Sequence, residues 1–416
     1  MRLKDVTEFC PTYAGAARND AVAFVPMEAL RYDSIAQQEI PFEEARGKYT
    51  FFADGDLLFA KVTPCFENGN IAVATNLKGG IGFGSSEIFV LRAKPGLNNR
   101  YLFYVVQASP FMDGGCATMC GVGGLKRMSP LFPRTFEWEI PSEKSQRKIV
   151  AYLDEKTAAI DARVVILEKK LAAYKRLKAS IINRAVTRGL DPKARLKDSG
   201  VDWIGKVPEG WEVRNLSHCF GFFKGLSITK ADLAETGTFV ISYGQIHSNL
   251  NIGTHLKPEL LRYVPETIAA ADPSARLKVG DIVFADTSED VEGCGNCVLM
   301  DAESPVYAGY HAIVARPEES RRSRYFSYLF NASCWRSQIR SKVAGIKVFS
   351  ITQRIFKGVS LLLPPIADAN SIADYLDAEC AKIDKMAELV TREIELYKKL
   401  KRSLINEVVT GNLEVA

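Results

Sequence analysis

Apolar residues at Ile160, Val164, Leu167, Leu171, Tyr174, Ile181 and Ala185 fall at alternating steps of four and three, with Lys178 filling one step. That spacing keeps one stripe on one side of a helix and marks a coiled-coil seam. The register returns at Ile383, Ala387, Val390, Ile394, Tyr397, Leu404 and Val408, where Lys401 takes the place of Lys178. Ser142 suits the N-cap of the first helix and Gly189, followed by Pro192, its end, while Pro365 and Gly411 bracket the second. At ~1.5 Å per residue each helix is about 65 Å long. A stripe of this kind packs against another helix rather than carrying chemistry, and the most economical partner is the other copy.

The two helices are copies of one unit. Laid together without a gap from Ile140 and Leu363, the segments agree at roughly 18 of about 51 positions. Tyr152, Leu153 and Asp154 match Tyr375, Leu376 and Asp377; Ile160 and Asp161 match Ile383 and Asp384; Tyr174, Lys175, Leu177 and Lys178 match Tyr397, Lys398, Leu400 and Lys401. Each copy closes on an Ile-Asn pair, Ile182 and Asn183 or Ile405 and Asn406.

The stretches before each helix are domain-sized, lack helical periodicity and read as strand-rich. Gly55 to Phe59 has a counterpart in Gly280 to Phe284, an apolar run after a turn. Arg100 and Tyr101 correspond to Arg324 and Tyr325, and Gly124, Leu125, Lys126 and Ser129 to Gly345, Ile346, Lys347 and Ser350. The division that follows is a first domain over 1–139, a central helix over 140–190, a polar linker over 191–210, a second domain over 211–362 and a C-terminal helix over 363–413. The fold class is α+β: two strand-rich domains of mixed α/β content separated by two long helices in a coiled coil. Because domain termini tend to lie close together, the helices should run antiparallel, giving a pseudo-two-fold arrangement with a different domain at each end.

Composition changes this picture little. Hydrophobic residues make up 47% and charged residues 25%, ordinary for globular chains. A net charge of +5 permits a polyanionic partner without requiring one. The opening MRLKDVTEFC lacks the apolar core of a secretory leader, and no run approaches membrane-spanning length. The nine cysteines are odd in number and scattered, as expected of reduced thiols in a cytoplasm.

The paired motifs AYLDEKTAAID and DYLDAECAKID, the endings KRLKASIINRAVTRGL and KKLKRSLINEVVTGNL, the phrase DWIGKVPEGWEV and the phrase VISYGQIHS carry a specific resemblance. An unlike domain, a long helix, a second unlike domain and a matching helix form a layout that resembles Type I restriction–modification specificity subunits over nearly the whole chain. The resemblance implies two target-recognition domains, each reading half of a bipartite asymmetric sequence in double-stranded DNA. It implies a non-catalytic chain bound by two adenine methyltransferase (modification) subunits and by restriction motor-nuclease subunits. S-adenosylmethionine, ATP and Mg would then sit on those partners, with no cofactor on this chain. The first domain is expected to begin almost at Met1, where RLKDV resembles WEVRNL after the linker, so against the resemblance the introduction to that domain would be shortened.

Residue chemistry points the same way. Gly200, Gly205 and Lys206 have phosphate-loop spacing, but Val207 replaces the hydroxyl residue that would hold magnesium, and a linker reading suffices. No methyltransferase loop of the Asn-Pro-Pro-aromatic or Asp-Pro-Pro-Tyr kind is present. The Cys294/Cys297 and Cys116/Cys120 pairs fall in separate domains, and His218, His247, His255 and His311 lack ligand spacing, so no metal site is expected. Candidate DNA-reading residues are basic, amide or hydroxyl side chains in loops near strand ends: Lys61, Thr63, Asn68, Asn70, Lys126 and Arg127 in the first domain, and Ser242, Gln245, His247, Thr287 and Lys347 in the second. The helix seam is expected to centre on Leu167, Leu171, Tyr174 and Ile181 against Val390, Ile394, Tyr397 and Leu404. Competing readings are an enzyme with its own recognition domains, a coiled-coil scaffold that binds only proteins, and a specificity module of another restriction–modification type.

Overall fold

The computed structural model describes residues 1–15, 21–202, 204–345 and 348–415. Two compact units emerge, one from residues 1–169 with 391–416 and the other from residues 170–390. Both helices are thus divided between the units: the central helix runs Glu143–Arg188 and the C-terminal helix Ile366–Val409.

In the first unit an antiparallel sheet has the order Thr7–Phe9, Ile88–Ala93, Leu57–Ala60, Ile71–Val73. In the second the corresponding order is Phe220–Lys224, Ala312–Pro317, Ile282–Ala285, Cys297–Leu299. Each unit adds a second sheet containing one parallel pair, Ala21–Val25 with Ile81–Gly84 or Thr238–Ile241 with Val306–Ala308. The repeated Gly-Asp phrase starts the third strand of each antiparallel sheet, and its aspartate explains why it recurs. Asp56 is buried and accepts Arg92 Nε at 2.8 Å and Nη2 at 2.7 Å from the neighbouring strand, together with the Ala53 N–H at 2.7 Å. Asp281 accepts Arg316 Nε and Nη2 at 2.8 and 2.7 Å and the Lys278 N–H at 2.8 Å. A buried carboxylate is tolerated only with such charge-assisted partners, so the phrase fixes both a turn and the neighbouring strand. Gly55 and Gly280 have φ of +91° and +95°, a region that a side chain would disfavour.

A short helix packs on each sheet and joins it to the long helices. Asn99–Val105 buries Tyr101, Leu102 and Phe103 with Leu153, Ile405 and Val408 in the first core. Ser323–Asn331 buries Tyr325, Phe326 and Phe330 with Val186, Ile372 and Leu376 in the second. The repeated Arg-Tyr dipeptide opens these helices. Arg100 Nε donates to Asp154 at 2.8 Å, Arg100 also pairs with Asp33, and the Tyr104 hydroxyl donates to Asp154 at 2.6 Å. Arg324 pairs with Asp374 and Asp377, and Tyr328 donates to Asp377. The aspartate of each Tyr-Leu-Asp motif is therefore the anchor of its domain to its own helix.

Within each unit the helical segments run antiparallel. In the first, Asp161 pairs with Lys401 and Glu168 with Lys398; in the second, Lys178 pairs with Asp384. Ile160, Val164, Leu167, Val390 and Ile394 are buried, while Leu171, Tyr174, Ile181, Tyr397 and Leu404 are half-buried. The lysines that interrupt the apolar register have a physical account. Lys178 Nζ lies 2.7 Å from both Asp384 oxygens, and Lys401 Nζ lies 2.8 and 2.6 Å from those of Asp161 and 3.9 Å from the Tyr32 ring centroid. Their stems cover the seam while the ammonium is neutralised across it.

Residues 191–210 hold more structure than a polar linker requires. Leu196–Asp198 pairs with Lys206–Pro208 in a hairpin, Val207 is fully buried, and Trp211 packs on Tyr325 and donates to Asp368. A chain that buries apolar side chains against a core acts as part of the second unit, whatever its polar composition.

Candidate nucleic-acid interface

In the first unit the candidate residues follow the Gly-Asp strand. The backbone of residues 61–63 zips onto a two-stranded ribbon, Cys120–Val122 with Leu125–Arg127. Thr63 N–H donates to Lys126 O at 2.9 Å, Met128 N–H to Lys61 O at 2.7 Å, and Val62 bridges Arg127. The Thr63 hydroxyl donates to Gly124 O and accepts the Lys126 N–H, both at 2.9 Å. Lys61, Thr63, Lys126 and Arg127 are thus brought together. Asn68, exposed, and Asn70, half-buried, sit on the turn that follows. Lys61 Nζ lies 5.3 Å from the Phe89 ring centroid. Arg127 Nε and Nη2 both reach Glu87, at 2.9 to 3.1 Å, and this hydrogen bonding holds the Glu87 carboxyl below its ordinary range. Arg127 must therefore exchange one anionic partner for another to touch DNA, whereas Lys126 is exposed.

In the second unit the polar candidates have more internal roles. Ser242 is fully buried and its N–H donates to Gln245 Oε1 at 3.1 Å, so both residues build the entry to the short helix Tyr243–Ile246. Both His247 ring nitrogens are engaged: Nε2 with Thr287 O at 2.8 Å and Nδ1 with Asn296 Nδ2 at 2.9 Å. Because Asn Nδ2 can only donate, Nδ1 is the acceptor and Nε2 carries the proton. This histidine positions the Thr287 segment. The Thr287 hydroxyl donates to Asp286 Oδ1 at 2.7 Å and lies 3.4 Å from His311 Nδ1. Lys347 lies outside the described residues.

Sequence reasoning passed over Tyr243, Tyr310 and His311, whose rings cluster at centroid distances of 5.3 to 6.1 Å beside Thr287. The adjacent Tyr310-His311 pair was the available signal, since aromatic and imidazole side chains in a loop suit stacking and hydrogen bonding. The shared frame is also informative: in both units the segment after the Gly-Asp strand pairs with a later extended segment, Val62 with Arg127 and Thr287 with Ser350.

Among the described residues no group of three or more His, Cys, Asp and Glu side chains is placed to hold a metal ion. Cys297 is buried against the second core, and desolvation pushes its thiol up to about 12. Among the described residues no helix is long and apolar enough to cross a membrane.

Comparison with known proteins adds an independent observation. Residues 208–395 match the Type I restriction modification DNA specificity domain. The chain is 33% identical over 154 residues to the Type I restriction enzyme EcoEI specificity subunit of Escherichia coli, and 32% identical over 152 residues to its EcoAI counterpart. Each match covers 36% of this chain but only 26% of the relative's own length. The MjaVIII specificity subunit of Methanocaldococcus jannaschii is 22% identical over 279 residues, 66% of this chain and 62% of that one. Among solved structures, a chain from the complex assembly and conformational transition of the type I R-M system superposes with a TM-score of 0.74 at 17% identity, covering 99% of this chain and 97% of that one. The HsdS subunit from Thermoanaerobacter tengcongensis gives 0.52 at 19%, covering 99% and 96%. Those two likenesses concern the fold. The duplicated helices, the unlike domains and the specificity domain matched at residues 208–395 together make this chain similar to Type I restriction–modification specificity subunits.

Proposed function

We propose that the chain reads a bipartite, asymmetric sequence in double-stranded DNA, one half with each domain, and directs two adenine methyltransferase subunits and motor-nuclease subunits to it. The chain itself is non-catalytic; S-adenosylmethionine, ATP and Mg belong to the partners, and the complex works in the cytoplasm. One observation carries this reading: near-identical anchoring of two domains, Asp154 to Arg100 and Asp377 to Arg324, supports loops that differ from one domain to the other. Repeated helical surfaces suit identical partners, while unlike reading loops suit an asymmetric target. Phosphate contacts from lysines would position each domain and base-edge contacts would specify it.

The test exchanges residues 212–360 for another recognition domain in a cell that expresses the chain with its methyltransferase. Methylome sequencing should show one half of the methylated sequence changed and the other retained. Changes in both halves would refute independent reading, and complexes that methylate without sequence preference would refute the recognition role.

A further inference from the structure

The ribbon Cys120–Arg127 is exposed at every one of its residues, on both faces. A two-stranded hairpin buried on neither side is marginal in water, so its own packing does not explain why it keeps its shape. Its base does: Thr63 clamps Gly124 O and the Lys126 N–H, and the backbone of residues 61–63 pairs with the returning strand. The turn residues Gly123 and Gly124 have φ of +64° and +82°, the two positive values that a tight two-residue hairpin turn requires. Gly121 admits no side chain, because a Cβ there would lie 2.2 Å from Leu125 O. The ribbon is therefore slim and held in place, and it projects into solvent.

Its tip is apolar. Val122 is 90% exposed, and Leu125, its cross-strand partner on the same face, is 47% exposed. Next to Leu125, Lys126 adds positive charge, and Lys61 lies at the ribbon's base, where its carbonyl accepts the Met128 N–H, while Arg127 is paired with Glu87. An apolar tip with lysines behind it, Lys126 on the strand and Lys61 at the base, matches a surface that is anionic at its edges and apolar at one point. The major groove of DNA has that character: it is about 12 Å wide, admits a two-stranded ribbon, is walled by phosphates and displays the thymine 5-methyl group.

We propose that this ribbon enters the major groove of the half-site read by the first domain, that Val122 contacts a thymine 5-methyl group, and that Lys126 contacts a flanking phosphate. The proposal rests on the DNA-recognition reading above. It makes Val122 a specificity-determining residue, although nothing polar about it suggests base readout.

The experiment uses this chain assembled with its methyltransferase and duplexes of the methylated sequence, with deoxyuridine replacing each thymine of that half-site in turn. Removing one buried methyl should weaken wild-type binding about four-fold at one position. Val122→Ser, which alters no buried contact, should bind the thymine duplex about four-fold more weakly and no longer distinguish thymine from uracil there. Lys126→Ala should weaken binding to every duplex alike and flatten its salt dependence. A half-site with no uracil-sensitive position would overturn the proposal, as would a Val122→Ser complex that still discriminates. Loss of methyltransferase assembly with unchanged affinity per assembled complex would instead make the tip a protein contact, and would also overturn it. If the wild-type complex shows no sequence-dependent binding, the recognition reading fails first, before any variant is made.

Discussion

Asp281→Ala perturbs the second unit at a single well-defined point. The carboxylate is 1% exposed and accepts three charge-assisted or backbone hydrogen bonds, two from Arg316 and one from Lys278 N–H. Its removal leaves a guanidinium whose side chain is 23% exposed without its anion, and a backbone donor without an acceptor. Breaking one partner of such a pair costs about 3–5 kcal/mol, because the remaining charge stays desolvated. Replacing both partners, as Asp281→Leu with Arg316→Met, removes the stranded charge and leaves mainly the Lys278 amide unsatisfied, about 1–3 kcal/mol. Asp56→Ala in the first unit should cost less, since Arg92 is 34% exposed and water screens the loss. Because the units need not unfold together, hydrogen exchange resolved by peptide is the assay. Protection should fall over Ile282–Ala285 in the first variant, recover in part in the double variant, and stay unchanged over Leu57–Ala60. Wild-type protection in Asp281→Ala, or a double variant weaker than the single one, would refute the argument.

Lys401→Glu should destabilise the helix pairing, and adding Asp161→Lys should restore about 0.5–1 kcal/mol, small because Asp161 is 51% exposed; thermal unfolding through the double-mutant cycle measures it, and no recovery would rule the pair out as a contributor. His255 Nδ1–H donates to Asp301 at 2.7 Å, and this hydrogen bond raises the His255 pKa above the ordinary histidine value. A raised folded pKa means that this contribution to stability is fully present below about pH 6.5 and is lost as pH rises through the higher folded value. An NMR titration should show His255 titrating above its ordinary value, and Asp301→Asn should bring it back; an unshifted wild-type titration would contradict the geometry. Gly121→Ala forces a Cβ against Leu125 O, so the ribbon should lose its register and DNA affinity should fall, while the unfolding free energy stays within about 0.5 kcal/mol of wild type.

The repeat was legible because both copies solve the same packing problem. A seam must return every three or four residues, and the Tyr-Leu-Asp motif must present its aspartate to Arg100 or Arg324, so those positions cannot drift independently. Strand character after Gly55 and Gly280 was legible for the same reason. The candidate site was legible only in part. Lys61, Thr63, Lys126 and Arg127 read as loop polars and do converge, but Ser242, Gln245 and His247 read identically and serve the fold's own hydrogen bonds. A single chain of letters does not distinguish a polar side chain aimed at solvent from one satisfied internally, because the partner is chosen by three-dimensional proximity.

By itself, then, the sequence determined the duplicated α+β plan and the two long helices, since periodicity and internal repetition are local properties of the chain. Tertiary structure alone decided why lysine is tolerated in the seam, where Arg127 finds Glu87, and that 191–210 packs as a hairpin. It also decided that Val122, an ordinary apolar letter, stands almost wholly in water. The lysine and Arg127 contacts join residues 40 to 240 positions apart at distances of a few ångströms, and the exposure of Val122 and the seating of the hairpin depend on what the rest of the fold does or does not place against them, so no local pattern encodes them.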